Sequence, residues 1–250
     1  MGAPSLRVFC AEVGASNLDT EMHPSSRPMR MKGLVISALL STLLYLTPSA
    51  LAKHHHHYND SEKGTGNFDY YLLALSWAPN YCAGHPNDHS SECRIGGHTA
   101  FVLHGLWPQA NSGAPPMSCS TASPVAAETV DHMLNFMPSR GLIQHEWQEH
   151  GTCSGLSAHE YFAKAEQAFR NLHVPEQYQK ANHQQQLNVS DLEKSFADAN
   201  RAPPEAFRVS CHAGELVSLE VCVDKDLQYQ GCTQSVRECP VNQVDMRPPQ

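Results

Sequence analysis

Positive charge is scarce in this sequence. Seventeen Lys and Arg stand against 25 Asp and Glu, a formal net charge of −8 with histidines neutral. A chain so poor in basic residues is unsuited to wrapping a polyanion by non-specific phosphate attraction. Charged residues of both signs make up only 17% of the chain against 41% hydrophobic, which suits a globular core. None of the nine cysteines falls in a Cys-x-x-Cys pair, which argues against a zinc ribbon and a thioredoxin-type site. His-Glu-x-x-His is absent too: His145-Glu146 is followed by His150 at i+5, so the two rings diverge on a helix and a zincin is excluded. No internal repeat is visible, and the length allows one domain or two small ones.

Long apolar runs are missing with one exception. Gly33 to Leu46 is apolar, follows Arg30 and Lys32, and leads to Ala50-Leu51-Ala52. It is shorter than the roughly 20 residues a membrane span needs, and no second run follows. The pattern is that of a signal peptide over residues 29–52, cleaved after Ala52, with Met29 or Met31 as the start and residues 1–28 an upstream extension. Cleavage removes four basic residues (Arg7, Arg27, Arg30, Lys32) and three acidic ones (Glu12, Asp19, Glu21), leaving 13 against 22 and a net charge of −9. Cys10 leaves as well, and the eight remaining cysteines read as four disulfides of an exported protein, periplasmic or secreted. Spacing alone does not choose among the 105 pairings that eight cysteines allow.

What is abundant is histidine, 16 in all, which makes the chain sensitive to mild acid. His54 to His57 fall in residues 53–67, expected as a flexible tail. Phe68 to Trp77 reads as a buried strand. Thr99 to Trp107 is a second strand whose alternation puts Val102, His104 and Leu106 on one face, with Gly105 and Pro108 as breaks. Ser123-Pro124 marks a helix start, with Pro138 as its stop. Ser157 to Glu160 is a capping box ahead of a helix burying Phe162, Ala165, Ala168, Phe169 and Leu172, and Ser190 with Glu193 repeats the pattern. Phe207 to Cys211 and Leu216 to Val223 read as antiparallel strands, with a further short strand near Cys232. The class is α+β: a central antiparallel sheet, several flanking helices and disulfide staples.

Two stretches can do chemistry. His145-Glu146-Trp147-Gln148-Glu149-His150-Gly151-Thr152-Cys153, if helical, pairs Glu146 with His150 and His145 with Glu149 at i,i+4. A carboxylate beside a histidine orients the ring and favours its charged form, as acid/base catalysis needs. Phe101-Val102-Leu103-His104-Gly105-Leu106-Trp107-Pro108 supplies a second histidine on a strand for the opposite proton transfer. Cys153, in an exported chain with an even cysteine count, reads as disulfide-bonded rather than nucleophilic.

These two stretches resemble the two active-site segments of the ribonuclease T2 family, and the likeness extends over Leu75-Ser76-Trp77 and Gly141-Leu142-Ile143-Gln144, from about Phe68 to Cys239. The resemblance implies a catalytic domain over residues 68–242 with a C-terminal tail at 243–250. It implies an endoribonuclease that needs neither metal nor cofactor and cleaves single-stranded RNA with low base specificity. A 2′,3′-cyclic phosphate forms first and is opened to a 3′-phosphate. By motif position His150 is the base, His104 the acid, and Glu146 the support of His150 and the phosphate. His145 would bind phosphate, and Trp107 would stack on a base. The family's disulfide pattern implies Cys82–Cys93, Cys119–Cys153, Cys211–Cys239 and Cys222–Cys232. RNA is the expected partner. DNA, lacking the 2′-hydroxyl, should survive; no membrane association is expected after cleavage, and the protein is expected to be a monomer.

The chain departs from the family at Glu149, where lysine is usual. Either Glu149 points away from the phosphate, towards solvent or His145, or it is protonated in acid, or transition-state stabilisation is weakened. The last option leads to the alternative of a catalytically weakened, RNA-binding or toxin-like secreted protein. Gln109 stands where some relatives carry a carboxylate, which leaves base preference open.

Overall fold

The computed structural model describes residues 65–250. The expectations for the upstream extension, the signal peptide and His54 to His57 lie outside the described residues. Of the expected tail, Gly66 N–H donates to Cys153 O at 2.8 Å, so residues 65–67 are tied to the domain.

Apolar runs become strands where they can be buried on both faces. β1 (Tyr70–Trp77) carries the sequence YYLLALSW, and only Ser76 in it is not buried. It lies between β2 (Phe101–Gln109) and β5 (Glu215–Val223), antiparallel to both. β4 (Phe207–His212) pairs with the other edge of β5. Two short strands, β3 (Gln185–Asn188) and β6 (Gln243–Met246), pair with each other, and β6 meets β5 in parallel at Glu215–Asp245. The sheet order is β2-β1-β5-β6-β3, with β4 beside β5.

Helices cover one face. α3 (Arg140–Glu149) starts where Ser139 Oγ accepts from Leu142 N. α4 (Ala158–Asn171) starts at the full capping box of Ser157 and Glu160 and buries Tyr161, Phe162, Ala165 and Ala168. α6 (Val189–Asn200) buries Leu192, Phe196 and Ala197. These side chains close on Leu73, Leu75, Leu103, Leu106, Val209, Leu219 and Val221 in one core. Phe169 and Leu172 of the expected α4 stripe also join it, Phe169 at its margin. The opposite face carries a small cluster of Tyr70, Leu72, Cys222 and Val236, with Trp107 against it.

Several local expectations give way to tertiary packing. α1 (Ala78–Gly84) is a short helix where the first strand ends. α2 (Ala127–Met133) begins three residues beyond Pro124 and without a side-chain cap. α5 is a single turn, Glu176–Gln179. The α6 cap is Asn188, not Ser190, and Glu193 instead accepts from Val209 N at 2.9 Å, fastening the helix to β4. β2 runs through Gly105 and Pro108, because as an edge strand it can carry a proline without losing a ladder bond. No strand forms near Cys232, where the described residues show only an isolated bridge, Val223–Tyr229. Residues 243–250 are not a tail: β6 is in the sheet, Trp77 Nε1 donates to Arg247 O, and His98 N donates to Gln250 O. Asn80, buried after β1, donates to Leu216 O and Asp245 O and accepts from Arg247 N, which holds this end in place.

The disulfides are Cys82–Cys93, Cys119–Cys153, Cys211–Cys239 and Cys222–Cys232, the pairs that the resemblance implies. Cys119–Cys153 spans 34 residues and ties the segment after β2 to the end of α3. Closing a loop of that length removes denatured-state entropy worth about 4 kcal/mol. A Cys119→Ser, Cys153→Ser double variant should lose stability of that order in urea unfolding at equilibrium, far more than a typical surface substitution.

Candidate active site

The geometry of the site starts from an irregularity in the ladder. Ala74 of β1 pairs with Gly105 and Leu75 pairs with Leu103, so His104 is an extra residue without a partner in the register. A bulge of this kind re-aims side chains. Residues three apart on a regular strand point to opposite faces. Here His104 and Trp107 share one side, with ring centroids 5.6 Å apart at 84°. Leu106, expected beside His104, points into the core instead, because the bulge shifts the alternation after it.

α3 lies along the outer edge of β2, where Leu103 N donates to Phe136 O just before the helix. From α3, Glu146 reaches the bulge and is 1% exposed. Its Oε2 accepts from Trp107 Nε1 at 2.7 Å. Its Oε1 lies 3.3 Å from His104 Nε2 and has no hydrogen bond of good geometry. The other nitrogen of His104, Nδ1, is 2.8 Å from Ser76 Oγ. Gly105 makes this approach feasible: a Cβ there would sit 2.0 Å from Glu146 Oε2 and 2.5 Å from Trp107 Nε1.

His150 is not on the helix with Glu146. α3 ends at Glu149, and His150 is its C-cap with φ −120° and ψ −47°. The i,i+4 relation survives in the backbone, His150 N donating to Glu146 O at 3.1 Å. The side chains do not bond to each other, but both meet Trp107. The carboxylate turns to Trp107 and His104, whereas the His150 ring stacks on Trp107 at 5.0 Å and 29°. Gly151 follows in a short 3₁₀ turn (Gly151–Cys153) because a Cβ there would meet Trp147 at 2.3 Å. Burial holds His150 below the ordinary histidine value. The charges of Glu146 and Glu149 oppose this, and His145 and His104 add to it.

The second expected pair, His145 with Glu149, does not form. His145 is exposed, near enough to His150 to disfavour its proton. Glu149 Oε2 accepts from Ser118 Oγ at 2.6 Å, and its backbone O accepts from Ser118 N at 2.8 Å. The residue therefore clamps the segment before Cys119.

Four residues beside the cluster carried weak signals in the sequence or none. Ser76 and Glu220 are polar residues inside otherwise apolar strands, which was the available hint. Tyr161 lies fully buried beneath the site, where burial and the nearby Glu146 charge keep its hydroxyl well above the usual tyrosine range. Glu92 lines a cavity of about 210 Å³ with Ser76, Tyr81, Val102, His104 and Pro138. Burial and the neighbouring Asp88 push the Glu92 carboxyl up to about 7. Among the described residues no group of three or more His, Cys, Asp or Glu side chains is arranged to hold a metal ion.

An α+β fold with a largely antiparallel sheet, four disulfides and histidines brought together from a strand bulge and the cap of a helix is the framework of a class of known proteins. Residues 68–232 match the family model described as the Ribonuclease T2 family, and the chain belongs to that family. It is 47% identical to a ribonuclease of Aeromonas hydrophila over 96 residues, 38% of this chain and 42% of that protein. It is 38% identical to a probable ribonuclease of Haemophilus influenzae over 177 residues, 66% of this chain and 61% of that protein. The chain thus spans less than two thirds of the length of either. Ribonuclease DdI of Dictyostelium discoideum is 29% identical over 229 residues, 81% of this chain and 97% of that protein. The fold is shared with an RNase-related protein from Calystegia sepium, with a TM-score of 0.60 and 24% identity over 73% of this chain and 98% of that one.

Replacing Gly105 by alanine tests the packing at the bulge. The variant should break the Trp107–Glu146 hydrogen bond and destabilise the fold by roughly 1–3 kcal/mol, the usual cost of overpacking. Tryptophan fluorescence and thermal unfolding should both change; parent-like values in both would refute the arrangement.

Proposed function

We propose that this chain is a metal-independent endoribonuclease that cleaves single-stranded RNA by transesterification. The observation that carries the reading is the convergence of His104, Trp107, Glu146 and His150 in one cluster. Burial favours the neutral ring of His150, so His150 takes the proton of the ribose 2′-hydroxyl. The freed oxygen attacks phosphorus, the bond to the 5′ oxygen breaks, and His104 gives its proton to that leaving oxygen. A 2′,3′-cyclic phosphate results. Water then opens it to a 3′-phosphate with the roles of the two histidines reversed. Glu146, held by Trp107, stands 3.3 Å from Nε2 of His104.

His145, exposed beside His150, is suited to meet a phosphate when charged. Trp107 stacks one face on His150, and its remaining edge and face are what a base can meet, with low base selectivity because every base offers a π-face. DNA lacks the attacking hydroxyl and is not cleaved. The chain acts as an exported monomer, in the periplasm or outside the cell, with four disulfides suited to an oxidising compartment.

Purified protein incubated with RNA in EDTA should release fragments ending first in 2′,3′-cyclic and then in 3′-phosphate, with DNA left intact. Loss of activity in EDTA, or 5′-phosphate ends, would overturn the mechanism. His104→Ala and His150→Ala should each lower kcat/KM by about 10²–10⁴, and the parent should show a bell-shaped dependence on pH.

A catalytically weakened RNA-binding protein is the second reading, and Glu149 is the residue that carries it. Glu149→Lys distinguishes the two. Lysine cannot accept from Ser118 Oγ, and it places a positive charge near the base His150. The active-enzyme reading therefore predicts a lower cleavage rate in the variant, whereas a rise of tenfold or more would establish that the parent is impaired by its glutamate.

A further inference from the structure

Glu220 is a partly buried carboxyl that the proposed mechanism does not use. The sheet register places it on the face that carries His104. Ala74 pairs with Gly105 on one side and with Glu220 on the other. Ser76 pairs likewise with Val102 and Ser218. The floor between the His104 bulge and Glu220 is thus made of two of the smallest side chains in β1. Ala74 is nevertheless only 1% exposed, so larger neighbours close over it.

The Glu220 carboxyl makes no hydrogen bond or ion pair with the described residues. Its cross-strand neighbour Arg208 turns away, donating Nη1–H to Phe207 O at 2.8 Å and setting Nε 3.3 Å from Glu238. Burial pushes the Glu220 carboxyl up to about 7, and the opposing charge acting on it is that of His104. An apolar sheet gains nothing in packing from such a group.

We propose that Glu220 is a positioning residue for His104: from across Ala74 its carboxylate helps hold the proton on the ring. The inference rests on the reading of His104 as the acid, which must stay charged as pH rises. The other groups facing this ring are Glu146 from α3 at Nε2, Ser76 from β1 at Nδ1, Trp107 edge-on, Glu92 across the cavity, and the charge of His150. Glu146 lies 3.3 Å from the ring at Nε2, and Ser76 Oγ meets Nδ1 at 2.8 Å. Glu220 hydrogen-bonds to nothing there and acts through charge alone, which separates its effect from a structural one.

The test is an NMR titration of His104 in the full chain with its disulfides intact, alongside the pH profile of kcat/KM. In Glu220→Gln the His104 midpoint should fall by roughly half a unit or more, a threefold or greater loss of proton affinity. Glu220→Ala should give the same shift, and Glu220→Asp, which keeps the charge, should restore most of the parent value. The alkaline limb of kcat/KM should move to lower pH by the same amount. A midpoint equal to the parent's in folded Glu220→Gln or Glu220→Ala overturns the proposal. A midpoint that falls while the kinetic limb stays fixed supports the coupling and overturns His104 as the acid.

Discussion

Glu146 is a carboxylate at 1% exposure, and burying such a group costs several kcal/mol unless it is paired and hydrogen-bonded. Its two oxygens face Trp107 Nε1 and His104 Nε2. Each surrounding feature makes that possible. The bulge turns His104 and Trp107 to one side of β2. Gly105 leaves the volume that the carboxylate fills. Ser139 starts α3 in the frame that brings Glu146 over the strand edge, and Cys119–Cys153 closes the far end. Removing one partner would leave a buried charge unsatisfied, so the site and the local fold are one construction.

The electrostatics around that carboxylate are unusual for a site proposed to act on a polyanion. No lysine or arginine among the described residues pairs with or hydrogen-bonds to His104, Glu146 or His150. Positive charge at the cluster therefore comes from histidines and varies with pH. Glu92 and Glu220, both pushed up to about 7 mainly by burial, titrate in the same range as an ordinary histidine. Their sign is opposite to that of a salt-bridged carboxylate. The folded state binds their protons more tightly than the unfolded chain, so their burial costs nothing below about pH 4.5 and its full amount above about 7. His150, held low, works the other way and penalises the fold as pH falls below the ordinary histidine value.

Much of the chemistry was legible in the residues themselves. The two histidine–tryptophan stretches, the strands around Phe68 to Trp77 and Leu216 to Val223, the capping box at Ser157 and the even cysteine count all act locally or by composition. They stand in the structure where the sequence puts them. The i,i+4 reasoning failed at His150 and at Glu149, because both lie where α3 ends and side chains answer to neighbours outside the helix. Ser118 takes Glu149, and the Trp107 ring takes His150. The four-residue strands β3 and β6 were not legible at all. QQLN has one apolar residue and QVDM only two alternating ones, Val244 and Met246, a pattern too short to mark a strand until the two segments pair with each other.

The sequence by itself determined which groups can act: two histidines, a glutamate and a tryptophan in two short segments, with cysteines to staple them. Only the tertiary structure decided how they meet. Alternation along β2 sends His104 and Leu106 the same way; the extra residue in the register sends them apart and brings His104 to Trp107. That register is set by pairing with β1, thirty residues upstream, and by the fit of Glu146 against Gly105. The same pairing carries Glu220 to within electrostatic reach of His104, a relation between residues more than a hundred positions apart that no local spacing encodes.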